Sequence, residues 1–116
     1  MIFRPKEMRT QVRSLMKGGV GDVTVLHMVE CEDRPNIRFV GEMTLPAGAS
    51  IGDHTHDKET EFYIITDGIG VVNDNGKDER VGRGDVIVTG GGATHRIRNA
   101  GTTPLVIIAF IVTNDQ

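Results

Sequence analysis

His54 and His56 stand one residue apart within IGDHTHDKETEFYIITDG, Ile51 to Gly68, in a chain of 116 residues that has only four histidines. Asp53, Asp57, Glu59 and Glu61 crowd around them. In extended backbone, residues two apart project to the same face, so both imidazoles can reach one ion. Glu61 is best placed to add an oxygen, with Glu59 next in line. His95, at the start of a later apolar–polar alternation, can bring a third nitrogen. Three nitrogens and one oxygen suit a borderline transition metal: Mn, Fe, Co, Ni, Cu or Zn. Four protein ligands around a six-coordinate ion leave positions open for water, dioxygen or a chelating substrate. That is the layout of a site for chemistry or ligand capture, not of a closed structural clamp.

Short strands must position these residues. Val23, Val25 and Val29 share a face with His27, and Leu26 and Met28 sit opposite; Ile37, Phe39, Met43 and Leu45 alternate with Arg38, Glu42 and Thr44. Pro46 and Gly48 break the second of these strands. EFYIIT ends at Asp67-Gly68, and GVV ends at Asn73-Asp74-Asn75-Gly76, a strong hairpin signal. Lys77 to Val81, VIVT and HRIRN follow, separated by Gly82-Arg83-Gly84-Asp85 and Gly90-Gly91-Gly92. The last run, LVIIAFIV (Leu105 to Val112), is apolar on both faces, so both need cover. Met8, Val12, Leu15 and Met16 fall at helical spacing ahead of Lys17-Gly18-Gly19, which predicts a short helix over 7–17. About eight antiparallel strands with one short helix imply an all-β jelly roll or small barrel.

Composition excludes several classes. Gly is high at 15 residues and apolar residues make up 38% of the chain, which suits short strands and tight turns. The net charge of −3 and the lack of basic–aromatic clusters argue against nucleic acid. Residues 1–17 hold five Lys/Arg (Arg4, Lys6, Arg9, Arg13, Lys17) against one Glu, while the remainder holds eight against fifteen acids. This basic end reads as a solvated face. Cys31 is the only cysteine, so no internal disulfide can form, and it reads as an inert thiol. No segment is apolar for long enough to span a bilayer, and the charged N-terminus MIFRPKEMRT lacks a secretory core. A cytoplasmic protein is expected.

The wider spacing resembles the cupin family. Its first motif runs Gly, five residues, His-x-His, three or four residues, Glu, six residues, Gly, and Gly48, His54, His56, Glu61 and Gly68 match it throughout. Its second runs Gly, five residues, Pro-x-Gly, two residues, His, three residues, Asn. Gly84, Gly92, His95 and Asn99 match, and Gly90 stands where Pro is usual. The resemblance covers 48–99, motifs 48–68 and 84–99, and implies one double-stranded β-helix (jelly-roll) domain over 1–116, with the helix and a strand (7–30) ahead of the motifs. It makes His54, His56, Glu61 and His95 the ligands of one divalent metal per chain (Mn, Fe, Ni, Co, Cu or Zn). Gly48, Gly68, Gly84 and Gly92 become turn residues, and Asn99 a support for the strand end that presents His95. The triple glycine Gly90–Gly92 reads as a loose turn.

Several functions remain open at this point. The leading expectation is a metal-dependent enzyme acting on a small carboxylate, diketone or similar chelating substrate, of dioxygenase or lyase/decarboxylase type. Tyr63, two residues after Glu61, should face the same interior and is the candidate catalytic side chain. The alternatives are a non-catalytic module holding metal and a small ligand, as sensor or carrier, and a sugar-phosphate isomerase. Arg96 and Arg98 alternate with His95 and should point away from the metal, which weakens the isomerase. His27 reads as a packed or edge-strand histidine. The two-faced apolar strand predicts a homodimer.

Overall fold

A computed structural model describes residues 1–114. It holds ten strands: β1 (Arg9–Ser14), β2 (Asp22–Val29), β3 (Ile37–Leu45), β4 (Ser50–His56), β5 (Glu59–Asp67), β6 (Ile69–Asp74), β7 (Lys77–Gly82), β8 (Val86–Gly90), β9 (Ala93–Asn99) and β10 (Leu105–Thr113). They form a six-stranded sheet, order β1-β2-β3-β10-β5-β8, and a four-stranded sheet, order β4-β9-β6-β7, both antiparallel. The chain passes from one sheet to the other at most of its turns, the arrangement of a jelly roll. Period-two alternation supplies the core. Val23, Val25, Met43, Leu45, Ile65 and Ile107 point from the large sheet toward Ile51, Val72 and Ile97 of the small one, all of them buried. Each such side chain contributes roughly 1.5–3 kcal/mol on leaving water.

The predicted helix over 7–17 does not form. Pro5–Glu7 and Met16–Gly18 are single 3₁₀ turns, and between them Arg9–Ser14 is a strand paired antiparallel with β2 along its whole length. Met8, Val12, Leu15 and Met16 suggested a buried stripe, yet Val12 and Leu15 are 58% and 64% exposed, and only Met16 packs on the core. The stretch Arg9-Thr10-Gln11-Val12-Arg13 also alternates with period two. An isolated helix this short is marginal in water, whereas the edge of β2 offers a complete ladder. After Ser14 the chain reverses through Leu15 and Lys17, both with positive φ.

This β1–β2 connection is clamped to the start of β4. Ser50 N–H donates to the Val20 carbonyl (2.8 Å), and Val20 N–H donates to Ser50 Oγ (2.9 Å). Gly19 and Gly52 allow the contact: a Cβ on either would collide with backbone of the other segment. The strand carrying both HxH histidines is thereby tied to a segment thirty or more residues earlier.

Candidate metal centre

β4 pairs with β9, and in that register His54 lies opposite His95. Between Ile51 and His54 the ladder slips by one residue, so three steps on β4 match two on β9. This bulge lets Ile51 stay in the core while His54 and His56 still face inward; Asp53 and Thr55 point to solvent. Glu61 arrives from the opposite sheet on β5 and is buried, with Tyr63 and Ile65 on the same face.

Four ligand atoms converge there, one each from His54, His56, Glu61 and His95, all within 4.8 Å of one another. His95 Nε2 lies 2.8 Å from His54 Nε2 and 3.0 Å from His56 Nε2. Glu61 Oε1 is 2.8 Å from His56 Nε2, 3.0 Å from His95 Nε2 and 3.5 Å from His54 Nε2. The other ring nitrogens set the tautomers. His54 Nδ1 faces the Gly52 carbonyl at 2.8 Å and His56 Nδ1 faces Glu59 Oε2 at 2.6 Å. Both partners only accept, so Nδ1 carries a proton, and Nε2 is the nitrogen left to ligate a cation or, on a protonated ring, to donate to Glu61. Ring nitrogens and a carboxylate pointed at one spot need protons or a metal ion among them, and the donor set is that of a divalent metal site. The residues therefore fit a divalent metal.

The charges agree with this. Burial alone would push the Glu61 carboxyl up, but hydrogen bonds from His54, His56 and His95 outweigh it and hold the group well below the usual carboxylate range. Burial also holds the His95 imidazole below its ordinary range, against the pull of Glu61. Glu59 is no ligand but a support. Its carboxylate takes two bonds from Arg38 (2.8 Å each) and orients His56, and these bonds keep it ionised. Carboxylate–histidine–metal triads work in this way, fixing the ring and raising its basicity. By sequence alone Glu59 is only a reserve ligand. Its position three residues after His56, beside the inner HxH face, was the available signal.

The remaining candidates fall as follows. Tyr63 is 1% exposed and stacks on His95 (4.8 Å between ring centroids, 19° between planes). Burial, together with the nearby Glu61 carboxylate, pushes its phenol well above the ordinary range, so the hydroxyl stays protonated. Asn99 is buried; its amide donates to the carbonyls of Leu45 and Thr103, and its Oδ1 accepts from Gly101 N–H. Arg96 and Arg98 lie on the outer face of β9, Arg96 paired with Asp53 at 3.1 Å. His27 is buried, its Nε2 bonded to Gln11 (2.9 Å) and its ring edge-on to Phe39. The Gly90 turn is tighter than a loose loop. Gly90 pairs with Thr60, a Cβ there would press on the Glu59 carbonyl and Thr60, and Gly92 N–H donates to the His56 carbonyl. A cavity of about 150 Å³ opens onto the cluster, lined by His54, His56 and Glu61 on one side and Arg13, Lys17 and Arg38 on another.

Residues 41–111 match the family model described as "Cupin domain". The chain belongs to the cupin family. Among its cupin relatives is an "Oxalate-binding protein" of Thermotoga maritima, 41% identical over 97% of this chain and 93% of that protein. A crystal structure of a "predicted oxalate decarboxylase" from the same organism superposes with a TM-score of 0.92 at 39% identity, covering 97% of this chain and 99% of the other. The tetracenomycin polyketide synthase protein TcmJ of Streptomyces glaucescens is 30% identical over 60% of this cupin but only 47% of its own length. No helix among the described residues is long and apolar enough to cross a membrane.

Proposed function

We propose that this cupin holds one divalent transition metal through His54, His56, Glu61 and His95 and uses the remaining coordination positions to chelate a small carboxylate of the oxalate class. The observation that carries the reading is the convergence of three nitrogens and one carboxylate oxygen within 4.8 Å. The similarity to the oxalate-binding protein supports the ligand class. So does the cavity, which at about 150 Å³ is half the lower end of the ~300–1,000 Å³ usual for drug-sized ligands. When bound, the ion would act as a Lewis acid on the chelated oxygens. The protein's part is to present bare imidazoles, keep Glu61 ionised and hold His56 through Glu59. Tyr63 serves as a packed platform behind His95. The isomerase alternative lacks support, since Arg96 and Arg98 face the far side of β9.

The open positions also favour a second reading, in which the same ligand is turned over by decarboxylation or oxygenation. Calorimetric titration of the metal-loaded protein with oxalate tests the first; release of formate, or uptake of oxygen, tests the second. Binding without turnover assigns a carrier or sensor, and no binding with any divalent metal present refutes the ligand class.

We also infer a homodimer through the outer face of the six-stranded sheet. There Phe62 stacks on Phe110 (4.6 Å), flanked by Ile64 and Ile108, with Val86 and Val88 more than half exposed at the edge. An apolar sheet face of this kind is covered most simply by a second copy. Light scattering at micromolar concentration should give twice the chain mass; a monomer overturns the inference.

A further inference from the structure

Three cations stand at the mouth of the metal cavity, and they are not equivalent. Arg38 is committed to Glu59 by two 2.8 Å bonds. Lys17 is exposed on the rim. Arg13 projects from the inner face of β1, half-buried, its guanidinium over the Phe39 ring (5.9 Å) and its Nε donating to Gln11 Oε1 (3.2 Å). Among the described residues no carboxylate pairs with it. Its charged neighbours are Arg9 and Arg38, whose own partners are Glu30 and Glu59. Burial, then the fields of these two arginines, depresses its pKa. A partly desolvated guanidinium set among like charges, with both Nη groups unused beside a cavity, is incomplete without an anion.

We propose that Arg13 is the specificity-determining residue of the site, selecting small dianionic ligands over monoanionic ones by binding the carboxylate oxygens that the metal leaves free. This rests on the metal-chelate reading above and adds the charge and the partner. A divalent ion with Glu61 as its single anionic ligand keeps one positive charge, and Arg13 supplies a second. A dicarboxylate cancels both; a monocarboxylate leaves one uncompensated. The planar fork of arginine suits a carboxylate better than an ammonium does. The residue is also held in place: Arg13 pairs with Val23 in the β1–β2 ladder, and the turn that follows is clamped to β4 through Gly19, Gly52, Val20 and Ser50. Cation and metal ligands therefore keep a fixed relation.

The test uses manganese(II)-loaded protein titrated calorimetrically with oxalate and with acetate, in wild type, Arg13→Gln and Arg13→Lys, after metal affinity has been measured for each. Arg13→Gln should weaken oxalate binding by about tenfold or more, as expected for a lost charge-assisted fork. Acetate binding should change much less, Arg13→Lys should be intermediate, and manganese affinity should stay the same or rise because a nearby cation is gone. Unchanged oxalate affinity in Arg13→Gln overturns the assignment while leaving the metal-chelate reading standing. A parallel fall in manganese, oxalate and acetate affinity overturns it as well, since it marks a merely structural role. Should Arg13→Gln lose its melting transition, Arg13→Lys carries the same comparison. If wild type loaded with manganese or any other divalent metal does not bind oxalate, the ligand reading fails and takes this assignment with it.

Discussion

The cavity has two walls of opposite character. One presents electron pairs: His54 and His56 from β4 and Glu61 from β5, with His95 of β9 buried behind them, and Gly52, Glu59 and Tyr63 in contact with the rings. The other presents cations: Arg13 from β1, Lys17 from the turn after it and Arg38 from β3. The first wall is buried except for half-buried His54, and its members depend on one another for protonation state. The second is half-exposed; besides the six-stranded sheet that β1, β3 and β5 share, the Arg38–Glu59 pair and the clamp between Gly19 and Gly52 tie it to the first. Donors that face each other need a cation between them, and cations that face a cavity need an anion in it.

Breaking the donor wall should have the largest effect. Glu61→Ala removes the only anionic ligand and should lower metal affinity by several orders of magnitude, leaving three imidazoles with no carboxylate at their centre. His95→Ala opens one position but keeps His54, His56 and Glu61, so metal should bind more weakly while the fold persists. Unfolding of His95→Ala under conditions where the metal-free wild type stays folded would make His95 a core residue instead. Next comes the link between the walls. Glu59→Gln keeps the shape but loses the charge that orients His56 and anchors Arg38, and a loss of roughly 10–100-fold in metal affinity is expected. An unchanged affinity would mean that His56 is held by packing alone.

Acid should act on the donor wall before the fold fails. The folded-state pKa of Glu61 is depressed, so its contribution to stability is present above the unfolded value near 4.5 and is lost as pH falls. His95 is depressed too, so its contribution begins to fade below about 6.5. His56 runs the other way: burial is outweighed by Glu61 and Glu59, its pKa is raised, and its contribution is lost as pH rises. Thermal melts of metal-free protein from pH 8 to pH 4 should show a net decline on the acid side, and the Glu59→Gln variant should flatten the His56 component. The smallest effect lies outside both walls. Gly84 has φ 91° with open space around it, so Gly84→Val should cost about 1–2 kcal/mol of stability through backbone strain, with metal stoichiometry unchanged.

The donor wall was legible in the sequence and the cation wall was not, for a physical reason. His54, His56, Glu61 and His95 lie on strands whose lengths are set by local turn chemistry, so spacing alone carries them to one point. Even there, the bulge that turns both histidines inward past Ile51 left no mark except the motif itself. Arg13 lies on a segment whose apolar positions fit a helix as well as a strand, and the unpaired edge of β2, the strand that follows it, decides between them. Read as a helix, the basic end looked like a solvated face. Read as a strand, Arg9, Gln11 and Arg13 fall on one side, and Arg13, at the end nearest the metal cluster, lines the cavity. Gly90 likewise looked like lost restraint, whereas close packing against Glu59 and Thr60 explains the absence of a side chain.

The central claim is that four side chains hold one metal, and calorimetric titration of the metal-free protein with manganese(II), cobalt(II), nickel(II) and zinc(II) tests it most directly. At least one of these should bind with a stoichiometry near one per chain. At a hundredfold excess over its dissociation constant it should stabilise the fold by about 2.7 kcal/mol, seen as a raised melting temperature that Glu61→Ala abolishes. Stoichiometry well below one for every metal, or a wild-type affinity preserved in Glu61→Ala, would contradict the account.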